Sequence, residues 1–286
     1  MEFAKYHALG NDYVVVARGP GDRALTVSQV RRICDRHFGI GSDGILVDDR
    51  GRPGDRPRLR IFNPDGSEAE KSGNGVRIFA RHLWEEGRVG VRPFEIETPG
   101  GAVTCQVLER GRTVTARMGR VSFDSAAIPV DGPRREVLGE TMDIAGRSLS
   151  YSAATIGNPH CVVLCDHPSE ADARALGPLI ESAPRFPKRT NVQFLQVVAP
   201  DRLRIEIWER GAGYTLASGT SSCAAAAVAH RLGLCGTSVR VEMPGGTLLV
   251  DIGPDYDMVM TGPVAKVAAG RLAEELLVEP EVSAER

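Results

Sequence analysis

The chain repeats itself. Leu9-Gly10-Asn11-Asp12-Tyr13-Val14-Val15-Val16 returns as Ile156-Gly157-Asn158-Pro159-His160-Cys161-Val162-Val163, with Asn11 and Asn158 set 147 positions apart. Arg58-Leu59-Arg60-Ile61 returns as Arg202-Leu203-Arg204-Ile205 at offset 144, and Ser72-Gly73 as Ser218-Gly219 at offset 146. Thr98-Pro99-Gly100-Gly101 returns as Met243-Pro244-Gly245-Gly246 at offset 145. One Pro-Gly-Gly match would signify only a turn. Four landmarks in the same order at a nearly constant offset signify two copies of one folding unit. A length of 286 residues suits two units at roughly 150 residues per domain.

Each copy mixes strands and helices. Leu59 to Asn63 reads as a strand, Ser72 to Gly75 as a turn, and Val76 to Glu86 as a helix with Val76, Phe79, Ala80 and Leu83 on one face. In the second copy Leu203 to Glu209 is a strand and Ser218 to Ser221 a turn. An Ala-rich helix over Ser222 to Leu232 follows, with small residues nearly all round, a pattern of close approach and burial. Val103 to Leu108 and Thr247 to Asp251, after the Pro-Gly-Gly turns, suggest hairpins. The linker falls around Gly119 to Asp124, and Ala265 to Val278 is expected to return to the first copy. Arg50 to Pro57 reads as a polar loop and Glu279 to Arg286 as a frayed tail. The expected halves are 1–119 with 264–286, and 120–263.

Composition removes several function classes. Thirty-five basic against 37 acidic residues leave a net charge of −2, with no excess to neutralise phosphates, so neither nucleic acid nor an anionic membrane is expected as partner. Met-Glu-Phe-Ala-Lys lacks a basic start before an apolar run, and Cys223 to Ala229 is too short to cross a bilayer, so the cytoplasm is the expectation. Six cysteines without a Cys-x-x-Cys pair do not form a disulfide framework. In His160-Cys161-Val162-Val163-Leu164-Cys165-Asp166-His167, Cys161 and Cys165 would share one strand face with His160 on the other. They read as buried small residues, and no metal is expected.

The chemistry concentrates where the copies match. A glycine-rich turn opening a helix aims unpaired N–H groups at one spot, a ready anion site. The chain has two, Ser72-Gly73-Asn74-Gly75 and Ser218-Gly219-Thr220-Ser221. Folded about a pseudo-twofold axis, both could grip one carboxylate, with Ser72 and Ser218 flanking the adjacent carbon from opposite sides. Stereoinversion needs an acid and a base so placed. Read blandly, both serines are ordinary helix caps. Asn11, Asn63, Asn74, Asn158 and Asn191 stand beside glycines or near strand ends, where each is either a turn former or a donor–acceptor for an amino acid head group. His160 and the Glu209-Arg210 pair before Gly211-Ala212-Gly213 add titratable groups.

The chain resembles the diaminopimelate epimerase family over nearly its whole length. The resemblance is carried by His7-Ala8-Leu9-Gly10-Asn11-Asp12, Phe62-Asn63-Pro64-Asp65-Gly66-Ser67-Glu68, Ser72-Gly73-Asn74-Gly75-Val76-Arg77, Gly157-Asn158-Pro159-His160 and Glu209-Arg210-Gly211-Ala212-Gly213. It implies an α/β (α+β) fold of two pseudo-symmetric halves, each a curled, mostly antiparallel sheet around a central helix, with the active site in the cleft between them. It also implies a cofactor-independent amino acid epimerase converting LL- to meso-diaminopimelate, working as a homodimer on a small-molecule substrate. By resemblance, Asn11, Asn63, Asn158, Asn191, Glu209 and Arg210 hold the substrate, and the amides of Gly73-Asn74 and Gly219-Thr220 hold its reacting carboxylate. A pyridoxal phosphate route would need a Schiff-base lysine. Only Lys71 of four lysines adjoins the site, so no cofactor is expected.

The departure lies at the chemistry. The family's two catalytic cysteines fall on Ser72 and Ser218, and its common Glu after Gly-Ala-Gly falls on Tyr214. A thiol with a reference pKa of about 8.5 ionises readily at a helix start, whereas a hydroxyl acts only beside a base. The resemblance puts His160 near Ser72 and Glu209 near Ser218, making Ser72–His160 and Ser218–Glu209 candidate relays, or His160 and Glu209 the proton carriers themselves, with Tyr214 a further acid. The readings that follow are a diaminopimelate epimerase using serines, an epimerase or isomerase of another amino acid, and a non-catalytic amino-acid-binding paralogue.

Overall fold

In the computed structural model, residues 1–19, 23–49 and 55–278 are described. The element order itself is duplicated. The first copy runs β1 (Glu2–Ala8), β2 (Asn11–Arg18), α1 (Val27–Cys34), β3 (Ile45–Asp49), β4 (Leu59–Phe62), β5 (Glu68–Ala69), α2 (Gly73–Glu85), β6 (Phe94–Thr98), β7 (Gly101–Leu108), a 3-10 turn, β8 (Thr113–Arg120) and β9 (Glu140–Ile144). The second runs β10 (Arg147–Thr155), β11 (Pro159–Leu164), α3 (Glu170–Glu181), β12 (Asn191–Ala199), β13 (Arg202–Glu209), β14 (Gly213–Thr215), α4 (Gly219–Arg231), β15 (Ser238–Met243), β16 (Gly246–Ile252), a 3-10 turn, β17 (Asp257–Pro263) and β18 (Ala265–Arg271). A short α5 (Glu274–Leu277) ends the described chain.

Pairing repeats with the order. β1–β2 and β10–β11 are antiparallel, β2–β3 and β11–β12 parallel, and β3–β4 and β12–β13 antiparallel. The last strand of each copy crosses into the other half: β9 pairs with β10, and β18 returns to β1. The halves meet along antiparallel β8 and β17, where Thr115 opposes Thr261 with hydroxyl oxygens 2.9 Å apart. These residues stand 146 apart, so the pseudo-twofold axis passes between them. One sheet thus runs from β6 through β8 and β17 into β9, and the two copies share hydrogen bonds rather than a linker alone.

Each half wraps its sheets around one helix. α2 packs on β1, β2, β3, β4, β7 and β8, and α4 on β10, β11, β12, β13, β15, β16 and β17. α1 and α3 cover the outside. Strands between two layers must be apolar on both faces. In β2, Val15 joins the inner core around α2 while Val14 and Val16 join the outer cluster with Val30 and Ile33 of α1. In β11, Val162 faces inward and Cys161 and Val163 face α3.

Both central helices start three residues earlier than the sequence suggests. Ser72 caps α2 by accepting the Gly75 N–H, and Ser218 caps α4 by accepting the Ser221 N–H. With the cap satisfied, the glycines read as turns become the first helical turn. Their small size has another use: Gly73 and Gly219 touch across the axis, and a Cβ on Gly73 would lie 2.9 Å from the Gly219 Cα. The Ala-rich stretch Cys223 to Ala229 of α4 is wholly buried. The expected tail over residues 279–286 and part of the expected loop at 50–57 lie outside the described residues.

Candidate active site

The contact of Gly73 with Gly219 sets the two helix starts side by side, and both open on one cavity of about 480 Å³. Ser72, Gly73 and Asn74 line it from the start of α2, and Ser218, Gly219 and Thr220 from the start of α4. The remaining walls include Asn11, Tyr13, Asn63, Asn158, Asn191, Glu209 and Arg210. The volume lies in the range of small-ligand sites, roughly 300–1,000 Å³. An anion here meets amide N–H groups that have no partner within their helices, at the positive ends of two helix dipoles.

A polar frame holds these groups. The Asn74 side-chain amide donates to Asn11 Oδ1 and to the Ala217 carbonyl, both at 2.9 Å, tying α2 to β2 and to the other half. Asn11 donates in turn to Asp43 at 3.0 Å. Arg77, wholly buried, donates to Asn74 Oδ1 and has no carboxylate partner among the described residues. Burial lowers its pKa to about 10, and its charge lies directly behind the tip of α2. At the far end Asn191 donates to the Pro159 carbonyl at 2.8 Å and accepts the Arg210 N–H at 3.0 Å. Glu181 accepts the Trp208 indole N–H at 2.6 Å and the Gly211 N–H at 2.9 Å, and so fixes the turn that carries Glu209 and Arg210.

The two serines differ in their partners. Burial pushes the Glu209 carboxyl above its usual range, the Ser218 hydroxyl beside it pulls the other way, and Asp43 raises it further. Ser72 meets Tyr13, whose hydroxyl oxygen lies 3.3 Å from Ser72 Oγ. His160 does not line the cavity and is wholly buried. Its Nε2 lies 3.0 Å from Asn158 Oδ1, and Gln193 of β12 is beside it. Burial holds its pKa down to about 3, so the ring is neutral. The partners of His160 come from the second half and those of Ser72 from the first, so among the described hydrogen bonds none forms the expected Ser72–His160 pair.

Tyr214 is a correction. It pairs with Trp208 across β13–β14, and both turn outward into the core under α3. Its hydroxyl donates to Glu206 at 2.8 Å, and Arg174 lies over its ring at 4.5 Å. Strand alternation, which sends Glu209 to the cleft, sends position 208 and its partner to the opposite face. Sequence reasoning missed Tyr13, Arg77 and Glu181. For Tyr13 a signal existed: the repeat that aligns Asn11 with Asn158 aligns Tyr13 with His160.

The glycine contact yields a test. In G73A the new methyl group meets the Gly219 Cα and the Met260 Cε, each at 2.9 Å, and the backbone atom cannot swing away. Overpacking of this kind costs about 1–3 kcal/mol. Urea unfolding should show that loss, and turnover should fall further as the helix tips separate. A G73A protein as stable and active as the parent would refute the close approach.

Comparison with known proteins agrees with this architecture. The diaminopimelate epimerase family model matches residues 3–123 and 152–267. The chain is 53% identical over 276 residues to diaminopimelate epimerase 2 of a Nostoc species, covering 96% of this chain and 97% of the relative. It is 39% identical to the diaminopimelate epimerase of Desulfitobacterium hafniense, covering 97% and 100% respectively. Among solved structures, a probable proline racemase from Agrobacterium radiobacter superposes with a TM-score of 0.71 at 17% identity, over 99% of this chain and 94% of that one. A hydroxyproline epimerase from Agrobacterium vitis superposes with a TM-score of 0.69 at 16% identity, over 95% and 90%. At these identities the structures establish the fold, and the sequence matches establish the kinship: the chain belongs to the diaminopimelate epimerase family.

Proposed function

We propose that the chain interconverts LL- and meso-diaminopimelate without a cofactor, by removing the α-proton on one face of the carbon and returning a proton on the other. The observation that carries this reading is the shared cavity, in which two serine-capped helix starts converge. The reacting carboxylate sits on the amides of Gly73-Asn74 and Gly219-Thr220, where negative charge building up on its oxygens as the carbon loses its proton is stabilised. Ser72 and Ser218 face the carbon from the two sides. Asn63, Asn158, Asn191 and Arg210 hold the remote amino acid end, and Glu209 stands between that end and Ser218. Buried His160 supports Asn158 through its ring nitrogen. The half-sites belong to 1–119 with 264–286 and to 120–263. The same reading takes the chain as a cytoplasmic homodimer acting on a free small molecule, an assembly that sedimentation of the purified chain tests.

Chiral chromatography of LL- and meso-diaminopimelate incubated with the chain, beside a panel of other amino acids, tests the activity. Conversion of either epimer to the same mixture is expected. Calorimetric binding without inversion would sink the proposal. Glu209 works as a base only when ionised, and its carboxyl is held above the usual range by burial. Activity is therefore complete above that raised pKa and falls as the pH drops through it. The acid limb of kcat should lie above the ordinary Glu value of about 4.3 and should vanish in E209Q along with most of the rate. An unchanged limb in E209Q would assign it to another group.

A further inference from the structure

A serine hydroxyl transfers protons only beside a group that can give or take them. At Ser218 the Glu209 carboxylate meets that need. At Ser72 the facing group is Tyr13. Ser72 Oγ already accepts the Gly75 N–H at 3.0 Å, which leaves it one proton and one further acceptor site. Tyr13 Oη lies 3.3 Å away, on a ring only 7% exposed that borders the substrate cavity. The internal repeat gives independent support. Tyr13 occupies in the first half the position that His160 occupies in the second, 147 residues on, and each follows the cleft asparagine by two. The duplicated frame thus puts a proton-bearing ring at this place in both halves.

We propose, resting on the epimerase reading above, that Tyr13 is the proton partner of Ser72: a positioning residue that keeps the serine hydroxyl aimed and replaces the proton it delivers. The step balances as follows. The substrate Cα–H bond breaks on the Ser218 side, its electron pair remaining on the carbon and carboxylate. Its proton passes through Ser218 to Glu209. On the opposite face Ser72 O–H gives its proton to the carbon and takes the Tyr13 proton. Glu209 is left protonated and Tyr13 ionised, and exchange with water or a turnover in the reverse sense restores both. Burial holds the phenol protonated, which loads it as a donor, and the nearby Glu209 and Asp43 charges act in the same direction. The two half-sites are consequently unequal, with a neutral acid behind Ser72 and a carboxylate behind Ser218.

Tyr13→Phe removes only the hydroxyl. Its kcat should fall about 10²–10³-fold, within the span of acid–base catalysis, with KM within about threefold. Deuterium wash-in through Ser218 should persist. In an S72C background, where a thiol of reference pKa about 8.5 ionises unaided, Y13F should cost less than about threefold. A fluorinated tyrosine at position 13, a stronger acid, should move the alkaline limb of kcat to lower pH. An equal loss in both backgrounds would mark a packing role and overturn the proposal, as would Y13F turnover within about twofold of the parent. If the parent chain inverts no diaminopimelate, the epimerase reading itself fails and takes this inference with it. An active parent with an unimpaired Y13F defeats the Tyr13 assignment alone.

Discussion

S72A should abolish α-proton exchange from one epimer of the substrate and S218A from the other, each with turnover reduced about 10²–10⁴-fold. Both serines line one cavity, and on the proposed reading each serves one face of the carbon. Removing one leaves the other able to take a proton from its own face and return it there, which exchanges deuterium without inverting the centre. Full exchange from both epimers in both variants would exclude the serines. Each substitution also removes a helix cap, since Ser72 accepts the Gly75 N–H and Ser218 the Ser221 N–H, at a cost of about 1 kcal/mol. S72N and S218N separate the two effects: asparagine caps a helix start but carries no hydroxyl proton. They should recover most of the stability and none of the turnover. Recovery of turnover in S72N would make capping the whole role of Ser72.

The second large effect is on stability. His160 is wholly buried and its pKa is held down to about 3, against an ordinary 6.5 once the chain unfolds. Between those values the unfolded chain binds a proton that the folded chain refuses. The neutral, folded form therefore keeps its full stability above about 6.5 and loses roughly 1.4 kcal/mol for each unit of acidification below it. Urea unfolding of the parent and of H160Q at successive pH values checks this. The raised carboxyls of Asp43, Glu206 and Glu209 act in the opposite sense and are common to both proteins. The difference between parent and H160Q thus isolates the histidine, and the parent curve should fall more steeply between about pH 6.5 and pH 4.5. Parallel curves would show that His160 reaches water.

The duplication was plain in the sequence because insertions between the copies are few: the landmarks keep their spacing from Asn11 to Gly246. Asn11, Asn63, Asn74, Asn158, both serines and the Glu209-Arg210 pair were legible because glycines or prolines adjoin them, whose backbone demands leave a readable local signature, whereas Asn191, between Thr190 and Val192, was not marked in this way. Helix starts were read late for the same reason. Gly73 to Gly75 look like a turn until Ser72 caps them and Gly219 packs against them. Tyr214 was expected in the site because the family's common Glu falls at its position, and a match of position does not say which sheet face a different side chain takes. The β13–β14 register turns it outward with Trp208.

Taken alone, the amino-acid order determined that two like units exist and that each presents a serine at the start of a helix. Those are local properties, fixed by residue type and spacing. Only the folded chain decided which side chain stands beside each serine. Tyr13 comes to Ser72 from 59 positions away, while His160 disappears behind Asn158. Such pairings depend on strand register and on how closely two helices approach, and these are set by packing across the whole core rather than by any short stretch of chain.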